Sequence, residues 1–480
     1  MNKLFKLEEN GTTVSREIMA GLTTFFAMSY ILFVNPQVLS STGMPVQAVF
    51  LATILASIVG TVAIGLIANV PYALAPGMGL NAFFAYTVVL SLGYTWQEAL
   101  AMVFICGIVN IIITFTSVRK MIILGIPQSL QHAIGGGIGI FIAYIGIKNA
   151  GILQFIADPG TYQNAGGTIT ANSSIVPELV AFNNPGVLIA LLGLAVTIFF
   201  VLRKWKAGII LSILVTTVVA IIVVLAGGKV AGFAPDFAHL FQQNNLGTAF
   251  NQMGQTFGAA FGPKGFGTLF ADSNKIFEVL MTILAFSLTS IFDPIGTFIG
   301  TGRSTGIFTD QDFKDMENSR GFSSKMDKAL FADMIATPIG AIFGTSNTTV
   351  YVESAAGIGA GGRTGLTSIV VAVLFAISSL FLPLLALVPT QATAPILIIV
   401  GMMMLGSFKE INWRDLAEAI PCFFASVFMG FAYSISYGIA AGFITFILVK
   451  VFTGKIRDIK PIVWVVALLF ILNFAVLAVL

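Results

Sequence analysis

Apolar residues come in long runs rather than in alternation. Beyond residue 17, stretches of about 18 residues or more recur along almost the whole chain, each long enough to cross a hydrocarbon core of roughly 30 Å as a helix. The run LIALLGLAVTIFFVL at 188–202 has no period of two, which argues against a β-barrel and leaves helices, whose backbone groups bond internally in lipid. The pattern predicts spans near 17–40, 46–70, 72–92, 97–118, 129–150, 186–203 and 207–227. A second set follows at 274–300, 328–344, 346–361, 365–388, 392–407, 415–453 and 461–480. The stretch 415–453 is too long for one helix and contains the polar YSISYG, so the count is 14 or 15. The expected fold is therefore an all-α polytopic membrane protein.

Composition agrees: 57% of the 480 residues are hydrophobic and only 9% are charged, against about 25% in an ordinary soluble domain. The net charge of +3 is spread over loops and suggests no nucleic-acid partner. Cys106 and Cys422 both fall in apolar segments, which points to neither a disulfide framework nor a metal site. Basic residues follow even-numbered spans, as in Arg119 with Lys120, in Arg203, Lys204 and Lys206, and in the polar segment 301–327 with Arg303, Lys314, Arg320 and Lys325. The positive-inside rule then places the N-terminus in the cytoplasm and the segment 151–185, which holds no Lys or Arg, outside. The first apolar segment is longer than a signal-peptide core and is expected to stay as a helix.

Seven spans on each side of an exterior segment at 229–273 suggest repeats at 1–228 and 274–480, inverted because the span number is odd. FVNPQVLSSTG (33–43) can be laid on IFDPIGTFIGTG (291–302), and YALAPGMG (72–79) on YVESAAGIG (351–359) with one gap. Carboxylates inside apolar segments are costly and point to a site. Asp293, in SIFDPIGT, and Glu353, in TTVYVESAAGIGAGGRTGLT, are the two candidates, whereas Glu98, Asp333 and Glu418 fall near span ends. Pro294 predicts a kink beside Asp293. The stretches 69–86, with two prolines and Asn81, and 344–367, with six glycines, are poor continuous helices. Such interrupted segments in matching halves mark the midplane site of a transporter. GGGIG at 135–139 reads as close helix packing. Tyr30, Phe83, Tyr86 and Phe292 could stack on a planar ligand. GIGAGG (357–362) lacks the strand, helix and acid of a dinucleotide site, and no nucleophile or metal motif supports an enzyme.

FFAMSYILFVNPQVL (25–39), ALAPGMGLNAFFAY (73–86), FDPIGT (292–297) and TTVYVESAAGIGAGGRTGLT (348–367) resemble the guanine/hypoxanthine permease group, the hypoxanthine-adenine-guanine transporter family of the xanthine/uracil permease superfamily. The resemblance runs over essentially the whole chain. It implies 14 spans in two inverted repeats of seven, with a core domain from spans 1–4 and 8–11 and a gate domain from spans 5–7 and 12–14. It also implies short facing strands in spans 3 and 10, and proton-coupled purine uptake by an elevator-like movement. Carried over, the family's acids fall on Asp293 and Glu353 and its polar residue in the third span on Asn81. LTSIFDPIGT departs from the family's usual FVDLFDTIGT, with Ser290 where an acid is common and Pro294 where Thr is common.

A purine presents N–H donors and ring acceptors, so its site needs carboxylates, donors and a flat slot. The expected binding set is Glu353, Asp293, Asn81, the backbone near Ser354 and Ala355, and Phe292, with Asp293 and Glu353 also carrying the coupling proton. No cofactor is expected. The partners are a purine base, a proton and the bilayer of the plasma membrane, and the resemblance leaves room for a homodimer. Adenine, then uracil or xanthine, then an anion are the alternative cargoes.

Overall fold

The computed structural model describes residues 2–116, 125–157, 162–165, 168–171, 175–303, 305–309, 311–312 and 324–479. Arg119, Lys120, Lys314 and Arg320, basic residues that orient the chain by sequence, lie outside the described residues. Among the described residues, 10 helices are long and apolar enough to cross a membrane, and shorter apolar helices at Met78–Ser91, Leu416–Phe431 and Pro461–Ala475 accompany them.

The first crossing is made of α1 (Val14–Met28) and α2 (Ile31–Ser40), and α3 (Val46–Ile67) returns. The third apolar segment is interrupted, as its prolines and glycines predict. Leu74–Pro76 forms strand β1, α4 (Met78–Ala82) follows, and Phe83–Ser91 continues as π-helix. Helix α5 (Trp96–Phe115) starts on a capping box between Thr95 and Glu98, which accounts for an acid at that span end. Next come α6 (Gln128–Asn149), α7 (Pro185–Leu202) and α8 (Gly208–Leu225). Between α6 and α7, β2 (Leu153–Ala157) pairs with β5 (Ile175–Leu179), and β3 (Tyr162–Ala165) with β4 (Thr168–Ala171), all antiparallel. The amphipathic α9 (Leu246–Thr256) lies in the connecting segment and rests on α3.

The second half contains α10 (Ile276–Thr297), α11 (Lys325–Phe343), strand β6 (Thr348–Val350), α12 (Ser354–Gly359) and α13 (Gly365–Ser378). It ends with α14 (Thr390–Met404), α15 (Leu416–Phe431), α16 (Ile435–Phe452) and α17 (Pro461–Val479). The long stretch 415–453 is thus two helices. They part at Tyr433, which takes a left-handed φ of 51°, and the Ser434 hydroxyl then accepts the Tyr437 N–H.

Two sets of helices are evident from their packing. In one, α3 lies against α2, α11 and α13, and α11 also packs on α5. In the other, α6 lies against α14 and α15, α15 on α16, and α7 on α8 and α14. The GGGIG run serves the second set: a Cβ on Gly139 would lie 2.6 Å from the Gly401 carbonyl oxygen of α14, and one on Gly137 2.7 Å from Ser426 Cα of α15. Only a third of the apolar windows of α7 and α8 is buried, so these two helices form the periphery. The sets meet through polar contacts at one end. Gln37 of α2 donates to the Val388 carbonyl at 2.9 Å and accepts from the Thr393 hydroxyl of α14. Nearby, Asn149 donates to the Tyr86 hydroxyl at 3.1 Å, and the Lys148 ammonium sits 4.9 Å from the centre of the Tyr433 ring.

Candidate functional site

The two interrupted segments come together. β1 and β6 pair antiparallel, Leu74 opposite Val350, Ala75 opposite Thr349 and Pro76 opposite Thr348, and every residue of both strands is buried. A lone strand in hydrocarbon would leave its peptide groups unpaired, so each strand is the other's condition for existing. The Tyr351 N–H extends the ladder by donating to the Ala73 carbonyl at 2.9 Å.

Glu353 occupies the turn between β6 and α12. Its Oε1 accepts the Tyr30 hydroxyl at 2.7 Å, which links the turn to the start of α2. Glu353 is half-buried, Val352 beside it is 52% exposed, and Ala355 and Ala356 are exposed too, so the turn opens to its surroundings. Asp293, also half-buried, lies in the same neighbourhood as Glu353 and Tyr351. Its neighbour Phe292 is buried. Pro294, where a kink was expected, lies inside α10. The helix runs on to Thr297 and continues through Phe298–Arg303 as a π-helix.

Of the remaining expected residues, Asn81 and Ser354 are buried, while Ala355 is exposed. Asn81 is fully buried, accepts from the Ser346 hydroxyl and reaches the Pro76 carbonyl at 3.4 Å, tying α4 to the entry of β6. The Ser354 hydroxyl accepts the Ala73 N–H at 3.1 Å. The N–H groups of Ser354 and Ala355 donate to the Tyr351 and Val352 carbonyls at 3.1 and 2.9 Å, so they close the turn. Phe83 meets Phe286 edge to face, and Tyr86 belongs to the Asn149 and Tyr433 cluster instead.

Two acids carry more of the architecture than their sequence positions suggested. Asp333, expected at a span end, is 1% exposed inside α11. The Ser324 and Asp327 capping box starts this helix at Lys325, which carries Asp333 more than two turns inward. Its Oδ1 accepts the Val350 N–H at 2.7 Å, and its Oδ2 has no hydrogen-bond partner among the described residues. Glu17, in the first turn of α1, is fully buried and caps α13. It accepts the N–H groups of Arg363, Thr364 and Thr367 at 2.9, 3.3 and 3.1 Å and the Thr367 hydroxyl at 2.6 Å. Nothing in the sequence pairs Glu17 with a segment 346 residues away.

A multi-pass helical protein with two broken segments paired at a half-open carboxylate turn has the build of a membrane carrier. The Permease family, that of the xanthine and uracil permeases, matches residues 15–441, and the chain belongs to it. It is 39% identical to the guanine/hypoxanthine permease PbuO of Bacillus subtilis (strain 168), over 99% of this chain and 100% of that one. It is 38% identical to the adenine permease AdeP of Escherichia coli (strain K12), over 98% of this chain and 95% of that one. In fold it is similar to the transmembrane domain of a cyanobacterium bicarbonate transporter, BicA, with a TM-score of 0.56 and 15% identity over 89% of this chain and 97% of that one. The relatives are named as permeases, and the protein is a transporter of the nucleobase permease class rather than an enzyme.

Proposed function

We propose that the protein imports purine nucleobases across the plasma membrane by proton symport, with guanine and hypoxanthine as the preferred cargo and adenine as the alternative. The N-terminus lies in the cytoplasm in this reading, as the basic loops require. The observation that carries it is the half-open Glu353, held by Tyr30 and set against Asp293 at the paired ends of two broken segments. A carboxylate in that position accepts ring and exocyclic N–H groups of a base, and a bond to a charged acceptor is about twice as strong as a neutral one. Asn81 and Ser354 support the segments around the turn through the bonds already given, Ala355 lies exposed on the turn itself, and Phe292 is buried next to Asp293. An anion carrier would want a cation where these two acids stand. The set containing α3, α11 and α13 acts as the moving core, and the set built on α6, α14 and α15 as the gate, in an elevator-like cycle.

The test is uptake of radiolabelled guanine, hypoxanthine, adenine and uracil into cells lacking their own carriers, with and without a protonophore. Saturable purine uptake that collapses with the proton gradient is expected. Glu353→Ala and Asp293→Ala are each expected to lower it at least about tenfold at normal surface abundance. Undiminished uptake in both variants would remove these residues from the site.

A further inference from the structure

The connecting segment 229–273 holds no helix long and apolar enough to cross a membrane, and by sequence it is an exterior loop. Its composition is not that of a loop in water. Between Leu240 and Ala271 it carries six phenylalanines and one charged residue, Lys264. Phe241, Phe250, Phe257, Phe261 and Phe270 are all exposed.

Ring contacts fix the depth of its second half. Phe257 meets Phe343, the last residue of α11, with centres 6.0 Å apart. Phe261 meets Phe104 of α5 edge to face at 4.8 Å and stacks on Phe266 at 5.7 Å, and Phe266 also reaches Phe104 at 6.2 Å. Helix α5 has 20 residues, about 30 Å at 1.5 Å per residue, which is the thickness of the hydrocarbon core. Phe104 stands eight residues past its first, Trp96, which is about 12 Å along the axis. With the lean of helical side chains toward the N-terminus counted, this is the depth at which interfacial elements lie, about 5–10 Å below the headgroups. From Phe104 the same stripe of α5 continues at helical spacing through Ile108, Ile112 and Phe115, all exposed on a spanning helix and therefore lipid-facing. Phe261 and Phe266 thus cover the first part of a stripe that acyl chains cover further on, and Phe261 remains 51% exposed there.

Backbone at that depth has to find its partners within the protein. The Gly258 N–H donates to the Ile342 carbonyl at 2.8 Å, a 3-10 turn follows at Ala259–Phe261, and the Gly265 N–H donates to the Gly262 carbonyl at 3.0 Å ahead of the helical turn Phe266–Leu269. Between the two rings the chain comes back to the end of α5, where the Thr95 hydroxyl donates to the Lys264 carbonyl at 3.1 Å. The exposed lysine therefore stands at headgroup level, where its ammonium meets lipid phosphate while the rings beside it are immersed. Gln47 of α3, which donates to the Gln243 carbonyl at 3.0 Å, ties down the start of the segment.

We propose that residues 257–270 form a re-entrant anchor in the bilayer, with Phe257, Phe261 and Phe266 among the acyl chains of one leaflet and Lys264 at its phosphates. Lipid is the occupant because the patch continues the apolar stripe of a spanning helix and adds a single cation at the headgroup end.

The test uses the full chain in vesicles of phosphatidylcholine and phosphatidylglycerol. An environment-sensitive fluorophore is attached at Phe261→Cys or Phe257→Cys, with Ile112→Cys as the lipid-facing reference and Lys206→Cys, in an exposed loop, as the aqueous one. Cys106 and Cys422 are buried and stay unlabelled. Acyl-chain nitroxide lipids are expected to quench positions 257 and 261 at least fivefold more than position 206, and iodide on both faces to quench them less than a third as much. Iodide quenching equal to that at 206 would overturn the proposal and return the segment to water. Quenching by neither agent would overturn it as well and assign the patch to a second copy or another protein. The unsubstituted protein gives an independent reading by mass spectrometry. A photoactivatable carbene carried on an acyl chain is expected to mark peptide 257–270, and its absence there while α5 is marked would overturn the proposal.

Discussion

At the scale of single residues, the acids divide by what satisfies them. Among the described residues Glu353 has one donor, Tyr30, and keeps open surroundings, whereas Glu17 receives four hydrogen bonds and is sealed. The first arrangement holds a carboxylate ready for a second partner. A hydrogen bond to a charged group contributes about 1.5–3 kcal/mol, and a tenfold change in affinity corresponds to roughly 1.4 kcal/mol. Tyr30→Phe is therefore expected to raise the KM for purine uptake by about tenfold or more at unchanged surface abundance, measured by concentration-dependent uptake. Asp293 and Glu353 were legible in the sequence because each interrupts an apolar or glycine-rich run. Asp333 was not, since its depth depends on where α11 begins, and a capping box decides that. The Tyr30 contact was not legible either, because it joins residues from opposite halves of the chain.

Among elements, the broken segments were the most readable feature. Prolines at 71 and 76 and the glycines after Gly344 deny both segments a continuous helix, and both hold a short strand. Their pairing came from family resemblance and the register only from the structure, because three-residue strands carry no pattern that fixes a partner. Pro294 shows that a proline need not end a helix: α10 carries it inside and runs on to Thr297. Glu17 binds α1 to the start of α13, where its carboxylate stands at the positive end of the helix. Glu17→Ala strands several buried N–H groups, each costing about 1–3 kcal/mol. A clear fall in the unfolding temperature of the detergent-solubilised protein is expected, together with a smaller fall for Glu17→Gln, which keeps one acceptor.

For the whole molecule, the two helical sets are joined at one end by Gln37 with Thr393 and by Tyr86 with Asn149. If one set slides past the other during transport, these contacts break and reform in each cycle. A disulfide between Gln37→Cys and Thr393→Cys is expected to cut purine uptake at least tenfold, and reduction to restore it, as read by uptake before and after a reducing agent. Uptake insensitive to the cross-link would mean that the two sets do not move apart there. The packing behind these sets was only partly readable: the GGGIG run announced a close helix contact, but nothing in it named α14 and α15 as the neighbours.

The ladder between β1 and β6 also bears on how the protein is made. Leu74 precedes Thr348 by 274 residues, so at synthesis rates of about 5–20 residues per second the first strand waits roughly 15 to 55 s for its partner. Throughout that interval its peptide groups need water or a caretaker, and the nascent chain is committed to the insertion machinery with its central segment unfinished. An amino-terminal half ending in the 229–273 segment is expected to be degraded when expressed alone, and to be rescued by co-expressing the other half, with abundance followed by immunoblot. Quality control during biogenesis would then read the same strand pairing that later holds the carboxylates in place.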